Sequence, residues 1–123
     1  MKIKESAENY LETILKLEKL NHHVRSIDIV NELKYSKPSV SVAMKNLREN
    51  GYIHMKQDGS IELLDKGREI AEKIYERHTF FQQWLLSLGV DEATASEDAC
   101  KLEHALSDES FKAIKKAFQS DNK

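Results

Sequence analysis

The sequence predicts a mainly α chain, in which an N-terminal winged helix-turn-helix over residues 1–64 precedes a helical domain over residues 65–123. Three observations predict it. Two short amphipathic segments joined by a tight turn stand before residue 51. Two alternating runs flank Gln57-Asp58-Gly59 directly after them. From residue 65 onward, apolar residues recur at helical spacing in three further segments.

Residues 5–20 read as an amphipathic helix with Ala7, Tyr10, Leu11, Ile14, Leu17 and Leu20 inward, and Glu8, Asn9 and Glu12 off that stripe. His22-His23 starts a short connection. Ser26 is the expected N-cap of a short second helix bearing Ile29, Val30 and Leu33. Ser36 caps a third, where Pro38 fits the first turn because its missing N–H has no helical acceptor there. That helix runs to Asn50 and stops at Gly51. Val40, Ala43, Met44 and Leu47 line its inner side, while Ser39, Ser41, Val42, Lys45 and Arg48 face out. Tyr52–Lys56 and Ser60–Leu64 then alternate around the Asp-Gly turn, which makes them a wing.

Asp65 is expected to cap a long helix reaching about Leu88 and ended by Gly89, with Ile70, Ile74, His78, Phe81 and Leu85 on one stripe. Asp91 caps the next, with Ala95, Ala99, Leu102 and Leu106 inward. Ser107-Asp108 opens a last helix carrying Phe111, Ile114 and Phe118, and the polar tail from Gln119 is expected to fray. Phe80, Phe81, Trp84, Leu85 and Leu88 offer a broad apolar surface that predicts a homodimer; filling of the monomer's own core is the alternative.

No apolar run approaches membrane-spanning length, and Met1–Ser6 lacks a signal-peptide core. A lone cysteine cannot form an internal disulfide, which fits a reducing cytoplasm. The net charge of −2 does not by itself suggest nucleic acid. Its distribution leaves room for one: between residues 34 and 56 stand Lys34, Lys37, Lys45, Arg48 and Lys56, with Glu49 the sole acid. A local basic patch is what phosphate contact requires, although on charge alone an ordinary solvated surface is the favoured reading. Val42 on the outer side suits a thymine methyl or is simply exposed.

Residues 97–106, read as one helix, place Cys100, Glu103 and His104 at i, i+3 and i+4 on one face. A thiolate, a carboxylate and an imidazole within a turn can grip one transition ion, but other elements must complete its shell. Each residue also has a plainer reading. Cys100 alone is a small apolar side chain, and His78 on an apolar stripe is a satisfied core histidine. Glu12 is an i,i+4 partner for Lys16. A nucleophile–base pair at Cys100 and His104 lacks a third orienting group, so the chain does not read as an enzyme.

Glu8-Asn9-Tyr10-Leu11-Glu12, the winged helix, Arg77-His78 and Asp98–His104 together resemble the diphtheria toxin repressor family of iron- or manganese-dependent transcriptional repressors, whose short branch is the manganese transport regulators. The resemblance runs along nearly the whole chain. It implies that residues 65–123 form a metal-binding and dimerisation domain, with Cys100, Glu103 and His104 as ligands of the principal metal site. It adds His78 from the long helix, Glu12, and Asn9 through its amide oxygen. It also implies a recognition helix presenting Ser36, Lys37, Pro38, Ser39, Ser41, Val42 and Lys45 to double-stranded DNA, in a homodimer on a palindromic operator. The chain departs from the iron branch at the ancillary site, where Gln82 and Ser96 replace a carboxylate and an imidazole, and it lacks the SH3-like domain of the longer members. A thiolate leans the choice of divalent metal toward Fe2+ over Mn2+, although the carboxylates suit manganese. A metal-independent winged-helix regulator answering to another ligand is the alternative.

Overall fold

The computed structural model describes residues 5–20 and 23–121, and side chains as far as Gln119. In order these form α1 (Glu5–Leu20), α2 (Ser26–Leu33), α3 (Lys37–Glu49), β1 (Ile53–Met55), β2 (Ile61–Leu63), α4 (Asp65–Ser87), α5 (Glu92–Leu102) and α6 (Asp108–Asp121). The chain divides into two compact units, Met1–Lys73 and Ile74–Lys123, with the division inside α4.

In the first unit, α2 and α3 are the helix-turn-helix. Lys34 closes α2 in the left-handed conformation (φ 59°), its N–H donating to the Val30 carbonyl at 2.8 Å. Two residues later Ser36 caps α3, its hydroxyl oxygen accepting the Ser39 N–H at 3.3 Å. Between them, the ring of Tyr35 meets that of Tyr10 on α1 edge-on, with centroids 5.8 Å apart. Val40, Met44 and Leu47 are buried; Ser36, Lys37, Pro38, Ser39, Ser41, Val42 and Lys45 are all exposed.

The wing follows as expected. Ile53, His54 and Met55 pair antiparallel with Leu63, Glu62 and Ile61. Gly59 takes φ 87° at the turn, where a side chain would be strained. Beside it the Asp58 carboxylate accepts from the Ser60 hydroxyl (2.6 Å) and N–H (2.9 Å). Those hydrogen bonds hold its carboxyl below the usual range. The Ile61 N–H donates to the Val24 carbonyl at 2.7 Å, so the connection after α1 joins the hairpin edge.

Several local expectations need correction. The N-cap of α2 is Arg25, not Ser26: Asp28 at the third helical position accepts the Arg25 N–H at 2.9 Å, so no capping hydroxyl is needed. The middle of α1 is enclosed on all sides rather than along one stripe, because Glu12, Thr13 and Leu15 are buried together with Tyr10, Leu11 and Ile14. Leu20, expected inside, is 84% exposed. Asp65 is the first residue of α4 rather than its cap, and α6 continues to Asp121 instead of fraying from Gln119. His22, Asn122 and Lys123 lie outside the described residues.

In the second unit Phe81, Ala99 and Phe111 form the buried core, with Phe80, Trp84, Leu102 and Leu106 packed against it. The Phe80 ring stands edge-on to those of Phe81, Phe111 and Phe118 at 5.4, 5.5 and 5.3 Å. Much of the apolar surface read from the sequence therefore serves this unit's own core, whereas Leu86 and Leu88 are exposed.

Gly67, in the first turn of α4, sits against the backbone of Tyr52 just before the wing. A Cβ there would collide with the Tyr52 carbonyl oxygen, which already accepts the Leu64 N–H at 3.0 Å. A rigid backbone atom cannot step aside as a side chain can. Gly67→Ala is expected to destabilise the fold by about 1–3 kcal/mol, read by urea unfolding; unchanged stability would show that this contact is not tight.

Candidate metal centre

The second unit assembles the centre from α4 and the end of α5. Asp91 caps α5, its carboxylate accepting the Thr94 N–H at 3.2 Å; hydrogen bonding from the Thr94 hydroxyl first, and from this N–H second, keeps that carboxyl below its ordinary range. Ala95 and Ala99 are fully buried, small enough to let α5 lie close to its neighbours. That packing brings Cys100 beside α4, its Sγ 3.6 Å from His78 Nδ1.

The helix stops earlier than expected, at Leu102. Glu103 keeps helical angles (φ −61°, ψ −23°) and donates its N–H to the Ala99 carbonyl at 3.0 Å, so its relation to Cys100 survives. His104 lies in the turn beyond. One continuous helical face therefore accounts for Cys100 and Glu103 but not for His104.

Glu103 is 0% exposed. Its Oε2 lies 2.9 Å from His78 Nδ1, and its Oε1 3.3 Å from His104 Nε2, so the carboxylate has an imidazole at each oxygen. The imidazole of His104 is itself 4% exposed. Donor atoms of His78, Cys100 and Glu103 all lie within 4.8 Å of one another. An imidazole nitrogen at ~2.1 Å and a thiolate at ~2.3 Å from one tetrahedral ion stand roughly 3.5 Å apart, close to the separation seen here. Burying a carboxylate is costly unless a cation or donors answer it, and this donor set suits a divalent transition ion on both counts. Cys100 is exposed as a residue, which leaves the cluster a route to solvent.

His104 is not a member of that mutually close set and reaches it through Glu103. Glu12 and Asn9 belong to α1 in the first unit. Glu12 is 3% exposed, and its Oε2 lies 3.7 Å from Lys16 Nζ, the partner that the plainer reading of the sequence assigned it. Asn9 is half-buried.

Sequence reasoning gave no role to Arg77. It is buried beside His78, and its guanidinium donates to the backbone carbonyls of Glu103 and Leu106 and to Asp108. A guanidinium three residues after Ile74, on the inward side of an amphipathic helix, is the signal that would have found it, since such a group needs partners.

Comparison with known proteins finds two family models along the chain. Residues 2–61 match the iron dependent repressor N-terminal DNA binding domain, and residues 64–120 the iron dependent repressor metal binding and dimerisation domain. An uncharacterised HTH-type transcriptional regulator of Methanocaldococcus jannaschii is 39% identical over 113 residues, covering 90% of each chain. The diphtheria toxin repressor of Corynebacterium glutamicum is 30% identical over 106 residues, covering 85% of this chain and 46% of its own. The structure of the manganese regulator SloR superposes with a TM-score of 0.81 at 24% identity, over 97% of this chain and 55% of that one. The chain thus spans about half the length of the latter two. Among the described residues no helix is long and apolar enough to cross a membrane. With both domain models matched in order and a relative aligned along nearly its whole length, the chain belongs to the iron dependent repressor family, metal-dependent DNA-binding transcriptional repressors that are not enzymes.

Proposed function

We propose that this repressor is activated for operator binding by a divalent ion held at His78, Cys100, Glu103 and His104, with Fe2+ favoured over Mn2+, and that it regulates metal-ion homeostasis in the cytoplasm. The observation that carries this reading is the buried Glu103 carboxylate, set between two imidazoles and within 4.8 Å of the Cys100 thiol. Names among its relatives point to both iron and manganese. The thiol is what tips the balance, since Fe2+ outranks Mn2+ in affinity generally and gains more from sulfur. Glu12 and Asn9 are the proposed further ligands; the support for Glu12 is a carboxylate buried on its own helix. The ion's part is to join ligands into one arrangement that favours the DNA-competent form.

The division of labour proposed is a DNA-binding domain over 1–64 and a metal-binding and dimerisation domain over 65–123. In the first, Ser36, Lys37, Pro38, Ser39, Ser41, Val42 and Lys45 face DNA. Their support is shared exposure on and before α3, opposite its buried Val40, Met44 and Leu47. A homodimer would present two such helices to a palindromic operator, with half-sites about 34 Å apart.

Titration of a palindromic promoter fragment tests the reading. Saturating Fe2+ or Mn2+ is expected to tighten binding about 100-fold, which requires a coupling of about 2.7 kcal/mol. Equal affinity in chelator and metal would point instead to a regulator answering to another ligand. Two substitutions separate the two halves of the function. Glu103→Gln, nearly isosteric, is expected to abolish the gain from metal while leaving the far-UV circular dichroism unchanged. Lys45→Ala is expected to weaken DNA binding even at saturating metal and to reduce the salt slope by about 1, as loss of one phosphate contact demands.

A further inference from the structure

Arg77 is 5% exposed, and the partners of a guanidinium so deeply placed show what holds it there. Its partners are not the ligand side chains but the backbone just past α5. Nη1 donates to the Glu103 carbonyl at 3.2 Å and to the Leu106 carbonyl at 2.7 Å, and Nη2 to Asp108 Oδ1 at 2.5 Å. The guanidinium carbon stands 5.3 Å from the centroid of the Phe111 ring. Carbonyls at a helix C-terminus lack intrahelical donors. Here a side chain from a different helix supplies a donor to the C-cap carbonyl of Glu103 and to the Leu106 carbonyl in the bend beyond, the two positions that bracket His104.

We propose that Arg77 is a positioning residue of the metal centre: by gripping the Glu103 and Leu106 carbonyls it sets the Glu103–His104 turn at the distance from His78 and Cys100 at which one divalent ion can be held. This rests on the metal reading above. Consecutive residues of α4 then do complementary work, His78 offering a donor atom and Arg77 fixing the turn that offers the others. Without the grip the ion must order that turn itself, and supporting contacts of this kind typically change metal affinity about 10–100-fold. Lysine is no substitute. Its ammonium is a compact charge, whereas the planar fork of arginine spans two carbonyls and a carboxylate at once.

The test is Co2+ titration of the full chain, wild type and Arg77→Lys, followed by near-UV and visible absorption, with thermal melts of the metal-free proteins. Wild type is expected to take one Co2+ per chain and show thiolate-to-cobalt absorption. Arg77→Lys is expected to keep that absorption at saturation, because Cys100 precedes the turn, but with affinity lowered about 10–100-fold and shifted visible ligand-field bands. If wild type shows no thiolate–cobalt absorption, the metal reading itself fails. If wild type binds and Arg77→Lys matches it in affinity and spectrum, even with a lower melting temperature, Arg77 is merely structural and this inference alone falls. Should Arg77→Lys not fold, Asp108→Asn, which loosens the guanidinium's anchor and keeps the arginine, must weaken Co2+ binding relative to wild type; equal binding overturns the proposal.

Discussion

The buried carboxylate of Glu103 is the constraint around which the second unit is arranged. A carboxylate without solvent exposure is tolerated only where positive charge or hydrogen-bond donors surround it, and the chain provides an imidazole at each oxygen. Everything nearby serves that placement. Ala95 and Ala99 let α5 lie close to its neighbours, Phe81 and Phe111 seal the apolar side, and the early end of α5 frees His104 to turn back toward the Glu103 oxygen. An assembly this polar is a poor investment for stability alone, since well-packed apolar residues of similar volume would serve as well or better. The proposed role as a cation receptor gives that polarity a physical sense.

The reading head obeys a different economy. The residues proposed to face DNA lie on an exposed face rather than in a buried cluster, so the overall charge of −2 is no guide to them. Lys37 and Lys45 stand among the hydroxyls of Ser36, Ser39 and Ser41 because the opposite side of α3 is committed to Val40, Met44 and Leu47. Phosphate contact depends on local density of cations and donors, which a helix with one buried side can concentrate while acids elsewhere balance the total.

What could be read in the sequence was what local chemistry decides. Ser36 before Pro38, Asp58-Gly59 between alternating runs, Asp91 before an apolar period and Gly51 after one each act within a few residues, and each is found in its expected role. What escaped was decided by chain distant in sequence. Leu20 belongs to the stripe of α1 by spacing, yet nothing covers it; Leu15 lies off the stripe and is buried. Nothing local sets Gly67 apart from any other glycine in a helix; the Tyr52 carbonyl packed against it, 15 residues earlier, is what requires it. The candidate metal centre lies between these cases. Cys100 and Glu103 are near in sequence and keep their helical relation, whereas the grip of Arg77 on the turn beyond α5 comes from contacts 26 and 29 residues apart.

The edge-on pair of Tyr10 and Tyr35 has a mechanical meaning. Tyr10 is rooted in the enclosed middle of α1, two positions from Glu12, and Tyr35 immediately precedes the hydroxyl that caps α3. Rings in contact at that angle mesh like gear teeth. Rolling α1 about its axis would press the Tyr10 ring against its partner, so the phase of the helix that carries Glu12 is felt at the turn ahead of α3.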